Sequence, residues 1–170
     1  MFVKITDKYI KHRVSIIIRA AGCIFLARST RRVLLNFRSE DSAKPNCFGF
    51  WGGKVEAHEN IFEGLSREVI EELGFVPAYE RITIIDQFIS PDNQFTYYSF
   101  AVVVSDEFIP KLNHESQGYA WTSFAHYPKP LHPGAKAILE NESVTKCLLK
   151  LLDSENGSNF PTAADIKTEN

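Results

Sequence analysis

The sequence predicts an α/β protein with a mixed β-sheet and helices packed on its faces, and three observations carry that prediction. Short runs rich in Ile, Phe and Val recur between residues 15 and 122. One strongly amphipathic segment, Ile61–Leu73, interrupts them, and a second striped segment, Val144–Leu152, follows them. Strands in that order with a central and a C-terminal helix fit layers of helix on sheet.

Taken in order, Ser15–Arg19 and Gly22–Ala27 read as two strands joined at Ala20–Gly22. Ser29–Arg31 is a polar turn and Val33–Arg38 a third strand. The stretch from Ser39 to Cys47 holds Asp41, Ser42, Pro45 and Asn46 and reads as a loop. Phe48–Gly53 leads into the central helix. Arg81–Ile89 and Phe95–Ser105 are β-rich runs separated by the turn residues Ser90–Asn93, the pattern of a hairpin. Tyr119–Thr122 is a short strand, and Pro133 suits the first turn of a helix. In Val144–Leu152, Val144, Leu148 and Leu151 share one stripe. Residues 1–152 are expected to form a single domain. The polar tail 153–170, with only Phe160 and Ile166 to bury, is expected to be disordered.

Composition narrows the class. A chain of 170 residues can bury a substantial core. Its 44% hydrophobic and 24% charged residues are ordinary for a soluble globular protein. A formal net charge of −2 gives no general attraction for nucleic acid or membrane. The apolar run Val14–Ala27 contains Arg19 and is shorter than the ~20 residues a spanning helix needs. Lys4, Asp7, Lys8, Lys11 and Arg13 interrupt any signal-peptide pattern. Cys23, Cys47 and Cys147 are odd in number and include no CxxC pair, as expected of free thiols in a reducing cytoplasm. The expectation is a cytoplasmic protein without a membrane partner.

The chemistry concentrates in Gly52–Phe75, GGKVEAHENIFEGLSREVIEELGF. Asn60 with Glu63 three residues on makes a capping-box pattern, and Gly74 suits the C-terminal stop. Phe62, Leu65, Val69 and Leu73 form one apolar stripe. At about 100° per residue, Glu72 lies roughly 65° from the centre of that stripe, Glu68 about 40° further and Glu71 about 60° beyond. The three carboxylates thus form a connected patch that starts at the edge of the buried face. Like charges at these spacings destabilise a helix by a few tenths of a kcal/mol per pair. A hard divalent cation bridging the patch to a phosphate would offset that repulsion, whereas a lone Glu-x-x-Glu-Glu is more commonly a solvated face. Arg67 and Glu59 can pair to hold the preceding loop, and Gly52–Gly53 allows close backbone approach.

The string Gly53-x5-Glu59-x7-Arg67-Glu68-Val69-x-Glu71-Glu72-x-Gly74-Phe75 resembles the box of the Nudix hydrolases at all nine specified positions within 23 residues. The resemblance extends over roughly residues 12–150: residues 22–38 resemble the two strands before the box, and Glu115–Trp121 with Pro128–Leu131 resembles the segment after it. It implies an α/β/α sandwich and hydrolysis of a nucleoside diphosphate linked to a moiety X. It further implies Mg²⁺, or Mn²⁺, held principally by Glu68 and Glu72, with Glu71 as a further ligand or as the base. Arg67 would orient the glutamates, Glu59 would brace Arg67, and a carbonyl of Gly52 or Gly53 would touch the metal.

Outside the box, Glu115 is the best candidate for a second base or ligand, with an exposed loop acid as the equal alternative. Arg38 and Lys54 are candidates for a substrate phosphate, against simple solvation. Aromatics including Trp51 offer stacking surfaces for a base, though alternation must turn about half of them inward. His58 reads as an exposed loop residue. Within the resemblance, X stays open among a nucleotide sugar, ADP-ribose, a dinucleotide and a (d)NTP. A nucleotide-binding module without turnover is the alternative class; such modules usually lose box glutamates, and none is lost here. An RNA end-processing role is disfavoured by the acidic balance and the lack of a basic tract. Homodimerisation is left open.

Overall fold

The computed structural model describes residues 17–154. Seven strands and three helices follow one another as β1 (Ile18–Ala27), β2 (Arg32–Arg38), β3 (Phe48–Gly49), β4 (Trp51–Val55), α1 (Ile61–Leu73), β5 (Arg81–Ile89), β6 (Phe95–Val104), β7 (Ser116–Ser123), α2 (Pro133–Leu139) and α3 (Glu142–Asp153). The strands make one mixed sheet with the path β3-β2-β1-β6-β5, to which β4 adds on β1 and β7 on β2. β1 and β6 run parallel over ten paired residues, and the other pairings are antiparallel. One edge of β1 is shared: Arg19–Cys23 pairs with β4 and Phe25–Ala27 with β2. The sheet therefore forks beside Cys23, and the box glycines lie on one prong.

Side-chain alternation fills both faces. Leu34, Trp51, Phe100 and Val102 pack with Leu65, Val69 and Leu73 of α1 on one side. Ile24, Leu26, Leu35 and Val103 pack with Ile138 of α2 and Leu148 of α3 on the other. The architecture is the expected α/β/α sandwich with a mixed sheet. The capping box at Asn60 and Glu63 is formed, and Gly74 ends α1 in the left-handed conformation at φ 77°.

Two boundaries differ from the sequence reading. Over its described part, the first pair of strands is one unbroken strand, Ile18–Ala27; Ser15 and Ile16 lie outside the described residues. Gly22 marks a close approach and not a turn, because a Cβ there would meet the Tyr97 hydroxyl at 1.9 Å. The short strand at Tyr119–Thr122 extends to Ser116–Ser123, since β2 offers it a partner along its whole length. Asp153 ends α3, and the tail expected beyond it lies, from residue 155, outside the described residues. Among the described residues, no helix is long and apolar enough to cross a membrane.

Candidate active site

Helix α1 carries its acids at the seam between its apolar stripe and solvent, and the glycines of β4 meet them there. Glu72 is only 2% exposed, though it neighbours the stripe and is charged in water. Its Oε2 accepts the Gly52 N–H at 2.6 Å, and the Asn36 amide of β2 approaches Oε1 at 3.4 Å. Burial pushes the Glu72 carboxyl up to about 8; the Gly52 hydrogen bond and Arg38 pull it down, while Glu68 and Glu115 add to the rise. Burial also raises Glu68, opposed by Arg67. A Cβ on Gly53 would lie 2.5 Å from Glu68 Oε2, so the carboxylate occupies space that only glycine leaves free. Gly52 adopts φ 135°, and a Cβ there would strike the Ala21 carbonyl oxygen at 2.2 Å. The two glycines serve different ends: Gly52 lets β4 lie against β1, and Gly53 lets a carboxylate lie against β4.

Arg67 organises the rest. Its Nε and Nη2 donate to the two oxygens of Glu59 at 2.7 and 3.0 Å, a two-pronged pairing. Nη1 donates to Glu68 at 2.9 Å and to Glu71 at 3.3 Å, and Nη2 reaches the Lys54 carbonyl at 2.8 Å. Glu59 in turn accepts the Glu56 N–H at 2.9 Å. Hydrogen bonds from Arg67 and that backbone amide hold the Glu59 carboxyl down at about 2. Hydrogen bonds to Glu59 and Glu68 raise Arg67 above its ordinary value. Arg19 fastens the loop from the other side by donating to the carbonyls of Glu56 and Glu59 at 3.1 and 2.9 Å.

Most of the sequence-designated residues are thus brought together. Glu59, Arg67, Glu68, Glu71 and the Lys54 backbone form one network, with Glu72 and Gly53 beside it. Glu115 sits in the turn before β7, where its charge reaches both Glu68 and Glu72, and Arg38 lies close enough to act on Glu72. The Lys54 ammonium is exposed, 3.6 Å from Glu56. His58 is exposed, as read. Trp51 is the correction: its indole is fully buried in the α1-side core, so it offers no stacking surface. The strand alternation that places Gly53 beside Glu68 turns Trp51, two residues earlier, into that core. The acidic patch is also less convergent than the helical wheel suggests, because Glu68 and Glu71 turn to Arg67 while Glu72 turns to Gly52. Among the described residues, no group of three or more His, Cys, Asp or Glu side chains is placed to hold a metal ion unaided.

On the other face of the glycine strand lies a cavity of about 710 Å³, whose lining includes Arg38, Gly52, Gly53, Lys54, Tyr97 and His132. His132 Nδ1 accepts the Gly134 N–H at 3.1 Å, which leaves Nε2 as the N–H of the neutral ring. Burial, helped by Arg38 and Lys44, lowers its tendency to protonate. Asn36 and His132 escaped the sequence reading. A usable signal existed for Asn36 alone, as the one polar residue inside the apolar run VLLNF.

Comparison with known proteins agrees with this fold. The NUDIX domain model matches residues 17–141. The 8-oxo-dGTP diphosphatase of Buchnera aphidicola subsp. Acyrthosiphon pisum (strain APS) is 37% identical over 57 residues, 34% of this chain and 46% of that relative, so less than half of its length is spanned. Among solved structures, the MutT NUDIX hydrolase from Burkholderia pseudomallei is 25% identical with a TM-score of 0.54, covering 72% of this chain and 96% of that one. The Nudix hydrolase RenU from M. smegmatis shares the fold at a TM-score of 0.62 and 17% identity, over 81% of this chain and 88% of that one. The NUDIX domain of Shewanella oneidensis NrtR, solved with ADP ribose, shares it at 0.60 and 14%, over 79% and 88%.

Proposed function

This chain belongs to the NUDIX family, and we propose that it hydrolyses a diphosphate linkage in a nucleoside diphosphate derivative with the help of Mg²⁺ or Mn²⁺. The observation that carries the proposal is Glu72, a carboxylate 2% exposed, held by a backbone N–H, with Glu68 on the neighbouring glycine. A buried acid so crowded by like charge is costly unless a cation joins it. The donor set fits: Mg²⁺ takes one or two carboxylates and completes its shell with waters and phosphate oxygens. Glu68 and Glu72 would hold it, with Glu71 at the rim and the Gly53 carbonyl as further donors. When bound, it would supply charge for the phosphate oxygens and lower the pKa of a coordinated water.

The chain's own groups divide the remaining work. Arg67 fixes Glu68 and, through the Lys54 carbonyl and Glu59, ties strand β4, which carries Gly53, to the loop that follows it. Arg38, and Lys54 by its ammonium, would bind phosphate oxygens at the cavity entrance. Glu71 or Glu115, both exposed and both close enough to act on Glu68, would accept the proton of the attacking water. Retention of every box carboxylate supports hydrolysis over binding without turnover. The relative named for 8-oxo-dGTP keeps a nucleoside triphosphate among the candidate substrates, beside ADP-ribose, nucleotide sugars and dinucleotides.

The test is a panel of such compounds with Mg²⁺ or Mn²⁺, run on the wild type and on Glu72→Gln. Phosphate-ester products from the wild type, and near-total loss in the variant, are expected. Tight nucleotide binding with no turnover anywhere on the panel would sink the hydrolase reading, and full activity in Glu72→Gln would sink the metal assignment.

A further inference from the structure

The far end of the cavity, away from the glutamates, is shaped by an irregularity in β5. Ile82 and Ile84 lie opposite Val102 and Phe100, whose side chains belong to the α1-side core. The register then slips, leaving Ile85 as the extra residue, and Asp86 lies opposite Ser99 and Phe88 opposite Tyr97. Uninterrupted alternation from Ile84 would have turned Asp86 and Phe88 toward α1 and given the cavity Gln87 and Ile89. The bulge reverses that choice, which is the re-aiming that bulges perform beside functional sites.

The result is an incomplete polar pair among aromatic rings. Asp86, Phe88, Phe95, Tyr97 and Ser99 all line the cavity. Asp86 is exposed and has no hydrogen-bond or ion-pair partner among the described residues. Ser99 Oγ is fully buried and also without a partner, an arrangement that ordinarily costs free energy unless a ligand completes it. Phe88, 51% exposed, sits 6.4 Å from Phe95 between ring centroids. Register links this end to the glutamates: Asp86, Ser99, Gly22 and Gly52 are successive partners across four neighbouring strands. Three strand spacings amount to roughly 14 Å, about the reach of an extended nucleoside diphosphate. Gly52 ends the row at Glu72.

We propose that this end of the cavity receives the base of the nucleotide, that Asp86 determines which base is taken, and that the preferred base offers two adjacent N–H donors, as the Watson–Crick edge of guanine does. The inference rests on the reading that the diphosphate lies at the Gly53 end. An ionised carboxylate only accepts, and it accepts two donors side by side. Adenine and cytosine set an acceptor next to their amino group, so one carboxylate oxygen would face a lone pair. Ser99 Oγ, able to donate or accept, is left for a further edge atom. Phe88 and Phe95 supply faces for stacking.

The experiment compares wild type with Asp86→Asn, which keeps the shape and exchanges one acceptor for a donor at an exposed, unpartnered position. Hydrolysis of GTP and ATP is measured with Mg²⁺, and binding of GMP and AMP is measured by calorimetry without metal. A preference for guanine in the wild type is expected. The variant should lower the guanine-to-adenine ratio by about 10- to 100-fold, through KM in hydrolysis and equally in GMP binding. A ratio unchanged by the substitution overturns the inference, as does an equal loss for both bases, which would place sugar hydroxyls at Asp86. Asp86-dependent preference for GMP without turnover of any nucleotide would retain the base site and remove the hydrolase reading; turnover without base preference would do the reverse.

Discussion

On the α1 side of strand β4 nearly every charged atom has a partner, whereas at the far end of the cavity two polar groups wait for one. Arg67 spends its guanidinium on Glu59, Glu68, Glu71 and a carbonyl, and Glu72 is held by Gly52. Across the sheet, Asp86 and Ser99 Oγ have no partner among the described residues. The paired side is a preorganised arrangement whose geometry exists before any ligand arrives. The unpaired side takes its meaning from the ligand that completes it. Substitutions on the first side should therefore damage rate and metal affinity, and those on the second should change which substrate is chosen.

The largest break in that contrast is Glu72→Gln. If Glu72 holds the metal as proposed, losing its carboxylate removes several kcal/mol of charge stabilisation, which at 1.36 kcal/mol per decade is about 10²- to 10³-fold or more in kcat. The same variant has a second consequence in metal-free buffer. Below pH 4.5 the carboxyl is protonated whether the chain is folded or not. Between 4.5 and about 8 the unfolded chain releases that proton while the folded chain keeps it, so stability falls as pH rises through the window. Glu72→Gln should flatten that fall, read as denaturation midpoints at pH 5 and pH 8 in chelator. An equal slope in both proteins would show that Glu72 does not carry the dependence.

Arg67→Lys should come next. A lysine keeps the charge but cannot span Glu59 with two prongs while also reaching Glu68. The glutamates keep their places on the helix and lose their orientation, for which about a 10- to 100-fold loss in activity or metal affinity is expected. Nucleotide binding in the absence of metal should change far less, and a parallel loss there would erase the distinction between the two sides.

How much of this was legible in the sequence follows the same division. The α1 side was readable because helix geometry is local: spacing alone put Glu72 beside the apolar stripe, paired Asn60 with Glu63 and allowed Arg67 to meet Glu59. Trp51 failed because an aromatic beside a glycine pair does not reveal which face of its strand is inward; β4's pairing with β1 decides that. Asp86 was invisible for a stronger reason. Alternation across Arg81–Ile89 breaks at the adjacent Ile84 and Ile85, but only the register against β6 shows which residue is extra and which way Asp86 then turns. Gly22 was misread as a turn for the same cause, since the Tyr97 hydroxyl that requires a glycine there arrives from a strand 75 residues away.

The glycine pair offers a finer cut through the comparison. Gly52→Ala places a Cβ against backbone at a positive φ and should destabilise the fold by about 1–3 kcal/mol, with activity falling as the folded fraction does. Gly53→Ala meets the far end of a side chain instead, so Glu68 can swing away. Thermal stability should stay close to wild type while metal affinity drops by about tenfold. If Gly53→Ala unfolds the chain and Gly52→Ala does not, the assignment of fold to one glycine and site to the other is reversed.

The smallest effect is expected at Asn60, and it separates stability from chemistry. Its side chain accepts the N–H groups of Phe62 and Glu63 at 3.0 Å each, while Glu63 answers on the Asn60 N–H at 2.9 Å. Asn60→Ala removes one half of that box and should cost about 1 kcal/mol, or roughly 2–4 °C in Tm for a chain of this size. The glutamates that line β4 lie two and three turns further along α1 and are fixed by Arg67 and Gly52, not by the cap. Metal affinity and kcat at a temperature well below the transition should therefore stay at their wild-type values. A fall in kcat larger than the fall in folded fraction would mean that the first turn of α1 transmits strain to Glu68, and that the paired side is less rigid than its hydrogen bonds indicate.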